Sequence, residues 1–139
     1  MNTFSVSIVT PSGRIFSTQK AEKLSVRTQA GQIQILAGHT PLVSVLKIGQ
    51  LVVEMPDDEH RSAVFGGFLE VRESGEVIIL ADEAEQGADI DVAQAEAAQR
   101  ETQRLISSHK KKDATFHQLQ SDLQRSIAQV QVGSWYQDR

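Results

Sequence analysis

From Phe4 to Asp82 the chain alternates apolar and polar residues in short runs. In FSVSIV, Phe4, Val6 and Ile8 fall on one face and Ser5 and Ser7 on the other. EKLSVRT repeats the pattern with Leu24 and Val26, and GQIQIL sets Ile33 and Ile35 against Gln32 and Gln34. PLVSVL, GQLVVE, RSAVF, FLEVRE and EVIILAD continue the series. A period of two with one apolar face marks a strand buried on one side. Turn residues separate the runs: Pro11-Ser12-Gly13, Gly38 to Pro41, Ile48-Gly49, Pro56 to Asp58 and Ser74-Gly75. About nine short strands at this spacing predict an antiparallel sandwich or barrel. VFGGFLEV interrupts the alternation with Gly66 and Gly67. Glycine weakens a strand and packs nothing, so the doublet predicts a bulge or tight bend where two backbones come close.

Near Asp89 the pattern changes. ADIDVAQAEAAQRETQRLI is rich in Ala, Gln, Glu and Arg, all good helix formers. Asp91 and Gln94 have the spacing of a capping box, and Ile90 stands where a hydrophobic staple would meet Ala95. The thin apolar face of this helix consists of Val92, Ala95, Ala98 and Leu105-Ile106. Ser107 to Lys112 breaks the pattern. A second helix then starts at Asp113, with Phe116, Leu119, Leu123, Ile127 and Val130 as one stripe. Gly133 reads as its stop, with Trp135 and Tyr136 beyond it as a cover for the apolar end or an interface anchor. The short break predicts an antiparallel hairpin. It buries little by itself and must dock on something, which makes it a candidate mobile element. The predicted fold class is α+β: an antiparallel β-sandwich over residues 1–88, then a helical hairpin over 89–139.

Charge and composition narrow the function. The net charge of −4 lies in the first part: residues 1–88 hold 7 Lys/Arg and 11 Asp/Glu, residues 89–139 hold 7 of each. An acidic sandwich argues against nucleic acid, which needs a basic stripe. With no cysteine there is no disulfide framework, thiolate metal site or cysteine nucleophile. The opening MNTFSVSIVT lacks the pattern of a signal peptide, and no apolar run reaches the ~20 residues of a membrane span. Any membrane role is expected to run through partners.

Enzyme constellations are missing from the sequence. His39, His60, His109 and His117 show no metal-ligand spacing, and no nucleophile elbow or Walker loop occurs. Asp57-Asp58-Glu59 reads as a solvated hairpin tip. The basic run His109 to Lys112 reads as a solvated loop or as a surface for an acidic partner.

Four motifs in order, collinear from about Phe4 to Val132, carry a family resemblance. SVSIVTPSGRIFS, AGQIQILAGHTPLVSVLKIG, VFGGFLEV with EVIILADEAE, and DIDVAQAEAA together resemble the epsilon subunit of rotary ATP synthases. The resemblance implies a non-catalytic subunit of the rotor, with no active site, metal or required cofactor. It implies partners: the gamma subunit of the central stalk, the ring of membrane-embedded subunits and the catalytic beta subunits. It implies a peripheral place at the cytoplasmic face of the bacterial plasma membrane, with the thylakoid stromal face as the other setting. The hairpin would fold on the sandwich, or extend along gamma and block hydrolysis. Ala30, Gly31, Gln32, Ile33, Gln34 and His39 match the segment that contacts ring and gamma. Lys110, Lys111, Lys112 and Arg125 are the basic residues that would face beta.

Some members of that family bind ATP between sandwich and hairpin through Ile/Leu-Asp-x-x-Arg-Ala. Here Glu85, Ile90, Asp91, Ala95 and Arg125 fit, whereas Gln94 and Gln129 stand where arginines would help. Glutamine cannot replace a bidentate guanidinium on phosphate, so ATP is expected to bind weakly or not at all. The alternative reading of the residues is a free-standing sandwich adaptor with a helical hairpin, unrelated to a rotary motor.

Overall fold

In the computed structural model, which describes residues 2–139, the alternating runs form β1 (Phe4–Thr10), β3 (Lys23–Thr28), β4 (Gly31–Leu36), β5 (Leu42–Leu46), β6 (Gly49–Glu54), β7 (Glu59–Val64), β8 (Gly67–Val71) and β9 (Val77–Ala81). Two more strands, β2 (Gly13–Ala21) and β10 (Ala84–Gln86), bring the sheet to 10. Neither shows a period of two. β2 is an edge strand with most residues exposed or half-exposed, and shifts of register interrupt its pairing with β1. β10 spans only 3 residues. β2 touches the core only at Ile15, Phe16 and Ala21, positions that do not alternate.

The strands pair in the order β10-β7-β6-β3-β5-β8-β9-β1-β2, with β4 on the other side of β3. β3 joins two layers: Lys23 to Ser25 pair with β6, and Thr28 alone pairs with Leu46 of β5. All pairings are antiparallel except β1 with β9. Those two strands lie far apart in sequence, so no hairpin turn dictates their direction. Between the layers, Val6, Ile8, Leu24, Ile35, Leu51, Val53, Leu69 and Ile79 are fully buried, and no helix residue belongs to this core.

The glycine doublet is the corner between β7 and β8, which belong to different layers. Gly66 and Gly67 take φ of +89° and +127°. A Cβ on Gly67 would run into the backbone carbonyl oxygen of Leu80, so the close approach expected from the sequence is present. The Phe65 amide donates to the Glu83 carbonyl at 2.9 Å and the Asp82 amide to the Gly66 carbonyl at 3.1 Å, fixing the corner.

A single 3₁₀ turn, Gly87–Asp89, leads into α1 (Val92–Ser108) and α2 (Ala114–Gln137). Both predicted caps form: Asp91 accepts from the Gln94 amide at 3.0 Å and Asp113 from the Phe116 amide at 3.1 Å. α1 runs through Ser107 and Ser108, which were expected to break it. Ile90, expected to staple Ala95, packs under α2 with Ala63, Phe65, Ala128 and Val132. Gly133 is not a stop. It lies buried inside α2, where a Cβ would stand 2.6 Å from Val92 Cγ2 and 3.0 Å from Ile90 Cγ2. It is small because the start of α1 passes close by, and Trp135 and Tyr136 therefore belong to the helix. The buried residues of α2 are Ser126, Ala128, Val132 and Gly133, while the expected stripe is only half-buried. Small side chains face the dock, and large ones fill its flanks.

Candidate functional site

The outer face of β6, β7 and β10 receives the hairpin. Alternation in β7 sends Ser62 and Val64 into the sandwich core and Arg61, Ala63 and Phe65 outward. Across the ladders, Gln50 of β6 and Glu85 of β10 stand opposite Ala63 and share its face. α2 lies over this row. The apolar part of the contact is small: Ala63, Phe65, Ala128 and Val132, with Ile48, Ile90 and Tyr136 at its border.

Polar contacts frame it. Arg125 donates to both carboxylate oxygens of Glu83, at 2.7 and 2.8 Å, and its guanidinium lies 4.0 Å over the Phe65 ring. That pairing holds the Glu83 carboxyl below its ordinary range and raises Arg125. Glu85 accepts from the Gln129 amide at 2.8 Å. At the end of α2, the guanidinium groups of Arg61 and Arg139 each lie 4.6 Å from the centre of the Trp135 ring. Arg139 bonds Asp58 at 2.7 Å, which lowers the Asp58 carboxyl. The Tyr136 hydroxyl accepts from the Arg61 amide at 3.3 Å.

Four residues of the expected nucleotide site do converge. Glu85, Ile90, Asp91 and Ala95 line one cavity of about 340 Å³ between sandwich and hairpin, together with Asp89, Gln94, Ala98 and Gln129. Arg125, the fifth, does not line it; its guanidinium is engaged by Glu83, with Glu85 at 3.6 Å. The lining holds the carboxylates of Glu85, Asp89 and Asp91 and no lysine or arginine. Such a wall repels phosphate.

The residues expected at ring and gamma lie along one edge. Ala30, Gly31, Gln32 and Gln34 are exposed on β4 and its turn, whereas Ile33 packs against the core. His39 stands beyond the other end of β4, its Nδ1 2.7 Å from the Thr40 carbonyl. A strand of this length separates it from Gly31 by roughly 20 Å. Lys110, Lys111 and Lys112 are exposed in the loop between the helices, and Arg125 lies about 16 Å further along α2. The basic residues therefore do not form one patch, and the distance is fixed by the helix itself.

One surface carried no signal in the run-by-run alternation. On the face opposite the hairpin, Val45, Phe68 and Leu80 stand side by side across β5, β8 and β9, at 41%, 51% and 49% exposure, with Val43 at 69% beside them. Large apolar residues clustered on an outer face mark an interaction surface.

The chain matches two family models: the beta-sandwich domain of the ATP synthase delta/epsilon chain over residues 3–87, and its long alpha-helix domain over 88–133. It is 34% identical to the ATP synthase epsilon chain of Macrococcus caseolyticus, over 97% of this chain and 99% of the relative. The epsilon chain of Priestia megaterium is 42% identical over 78% of this chain and 79% of the relative. The chain belongs to the ATP synthase epsilon chain family. Family membership sets aside the adaptor unrelated to a rotary motor. The epsilon fold is also that of a chain in the Euglena gracilis mitochondrial ATP synthase, with a TM-score of 0.78 at 24% identity, over 91% of this chain and 78% of that one. A chain of the Tetrahymena thermophila central stalk and ring aligns with a TM-score of 0.61 at 12% identity, over 97% and 96% of the two chains. Among the described residues of this epsilon chain, no helix is long and apolar enough to cross a membrane.

Proposed function

We propose that this epsilon chain is a non-catalytic rotor subunit that couples ion flow to ATP synthesis and brakes ATP hydrolysis through its hairpin. The observation that carries this reading is the division of the molecule into two separate apolar clusters. The sandwich closes its own core without the hairpin. The hairpin docks through a second, small cluster rimmed by ion pairs, so it can leave without unfolding the rest. On the other side, Val43, Val45, Phe68 and Leu80 offer a surface suited to a gamma subunit. The exposed turn of β4 is suited to the ring, and Lys110 to Lys112 to acidic beta segments once the hairpin extends. Membrane attachment then runs through these partners, at the cytoplasmic face of a bacterial plasma membrane. ATP binds weakly or not at all, because the cavity that would take it is lined by carboxylates.

Hydrolysis by the assembled complex tests the brake. With a chain ended after Ala88, hydrolysis rises while gamma remains bound. Unchanged hydrolysis in an intact complex would reduce the chain to a coupling piece.

A further inference from the structure

The position of Arg125 raises a question about what holds the hairpin down. It stands at the rim of the cavity, 3.6 Å from Glu85, and grips Glu83 at the corner built by the glycine doublet. Glu83 precedes β10 directly, and its carbonyl receives the Phe65 amide. One corner thus presents both a carboxylate and an aromatic face to the same guanidinium. Inside the cavity, Gln129 satisfies Glu85 instead of leaving it free. At the far end of α2, a second cation, Arg139, closes on Asp58, and Arg139 and Arg61 both lie against the Trp135 ring.

We infer that two paired latches, Glu83–Arg125 and Asp58–Arg139 around Trp135, hold the docked hairpin of this chain without any nucleotide, so that docking responds to ionic strength and not to ATP. The inference rests on the reading of the hairpin as a releasable brake. Both latches are partly exposed: Arg125 and Glu83 at 37% and 54%, Arg139 and Asp58 at 45% and 58%. Exposed pairs contribute little and are screened by salt. That weakness suits a latch, which must hold against a small apolar contact and still open.

The single tryptophan is a probe already in place. Trp135 sits ten residues, about 15 Å of helix, beyond Arg125, so for variants of Glu83 and Arg125 its exposure reads docking of α2 and not the loss of a neighbour. Acrylamide quenching of Trp135 in the isolated full chain is the measurement. Glu83→Ala and Arg125→Ala should each raise the undocked population about two- to fivefold. The double variant should add little to either. Raising sodium chloride to about 1 M, where the Debye length is about 3 Å, should have the same effect on the parent chain and a smaller one on the variants. MgATP should leave quenching unchanged. Asp58→Asn, at an exposed hairpin tip, tests the second latch and is read by amide exchange along α2, because Arg139 itself touches Trp135. Quenching indifferent to these changes and to salt would overturn the latch, as would protection by MgATP. The brake fails separately: variants that undock in isolation yet leave hydrolysis by the complex unaltered would sink that reading and keep the latch.

Discussion

At the scale of single residues, backbone space and burial decide the outcomes. Gly67 combines a positive φ with a Cβ direction blocked by the Leu80 carbonyl. Gly67→Ala should therefore cost at least about 2–3 kcal/mol, read as a lower midpoint in urea. Gly133→Leu would push α2 off Ile90 and Val92; its cost, about 1–3 kcal/mol, should fall on hairpin docking and leave the sandwich transition in place. His60 stacks on Phe16 with ring centres 3.8 Å apart, and burial lowers its pKa from 6.5 to about 4, against a smaller opposing effect of Asp58. The folded chain thus holds this proton less tightly than the unfolded one. Stability from this site is full above about pH 6.5 and falls as pH drops toward 4. Thermal unfolding at pH 7 and pH 5 should differ in the parent and much less in His60→Gln.

At the scale of elements, the hairpin was legible in outline and wrong in its details. Its caps were readable because Asp91 and Asp113 act on amides three residues away, a local event. Asp91→Ala should cost about 1 kcal/mol of hairpin stability, seen as faster amide exchange at the start of α1 alone. The end of α2 was misread because a glycine near a helix terminus resembles a stop when its neighbours in space are unknown. β2 was missed because it meets the core only at Ile15, Phe16 and Ala21, which do not alternate, and the three residues of β10 are too few for a period. The site was legible in part. Ile90, Asp91, Ala95 and Glu85 meet around one cavity as their motif implies, but the pairing of Arg125 with Glu83 spans 42 residues and left no local trace.

At the scale of the whole molecule, the two layers have different outer faces. One is covered by the hairpin; the other carries Val43, Val45, Phe68 and Leu80 in the open. Phe68→Asp should cost the isolated chain only about 1–2 kcal/mol, since the half-exposed ring covers Val45 and Leu80 across the ladders but lies outside the core. It should weaken binding to a gamma subunit by tenfold or more, measured by titration calorimetry, because a charge placed in an apolar contact must lose its hydration. Equal affinity of the parent and variant would move the docking surface elsewhere.

Local patterning along the chain encodes the type of most elements, the apolar face of each alternating strand, the bend at Gly66-Gly67 and the helix starts. Those follow from the side-chain period, the φ preference of glycine and hydrogen bonds across a few residues. Tertiary structure decided the rest: the parallel meeting of β1 with β9, the burial of Gly133 and the exposed row across β5, β8 and β9. It alone paired Arg125 with Glu83 at the rim of the cavity. Each depends on which surfaces far apart in the chain come to lie together, and no local period encodes that.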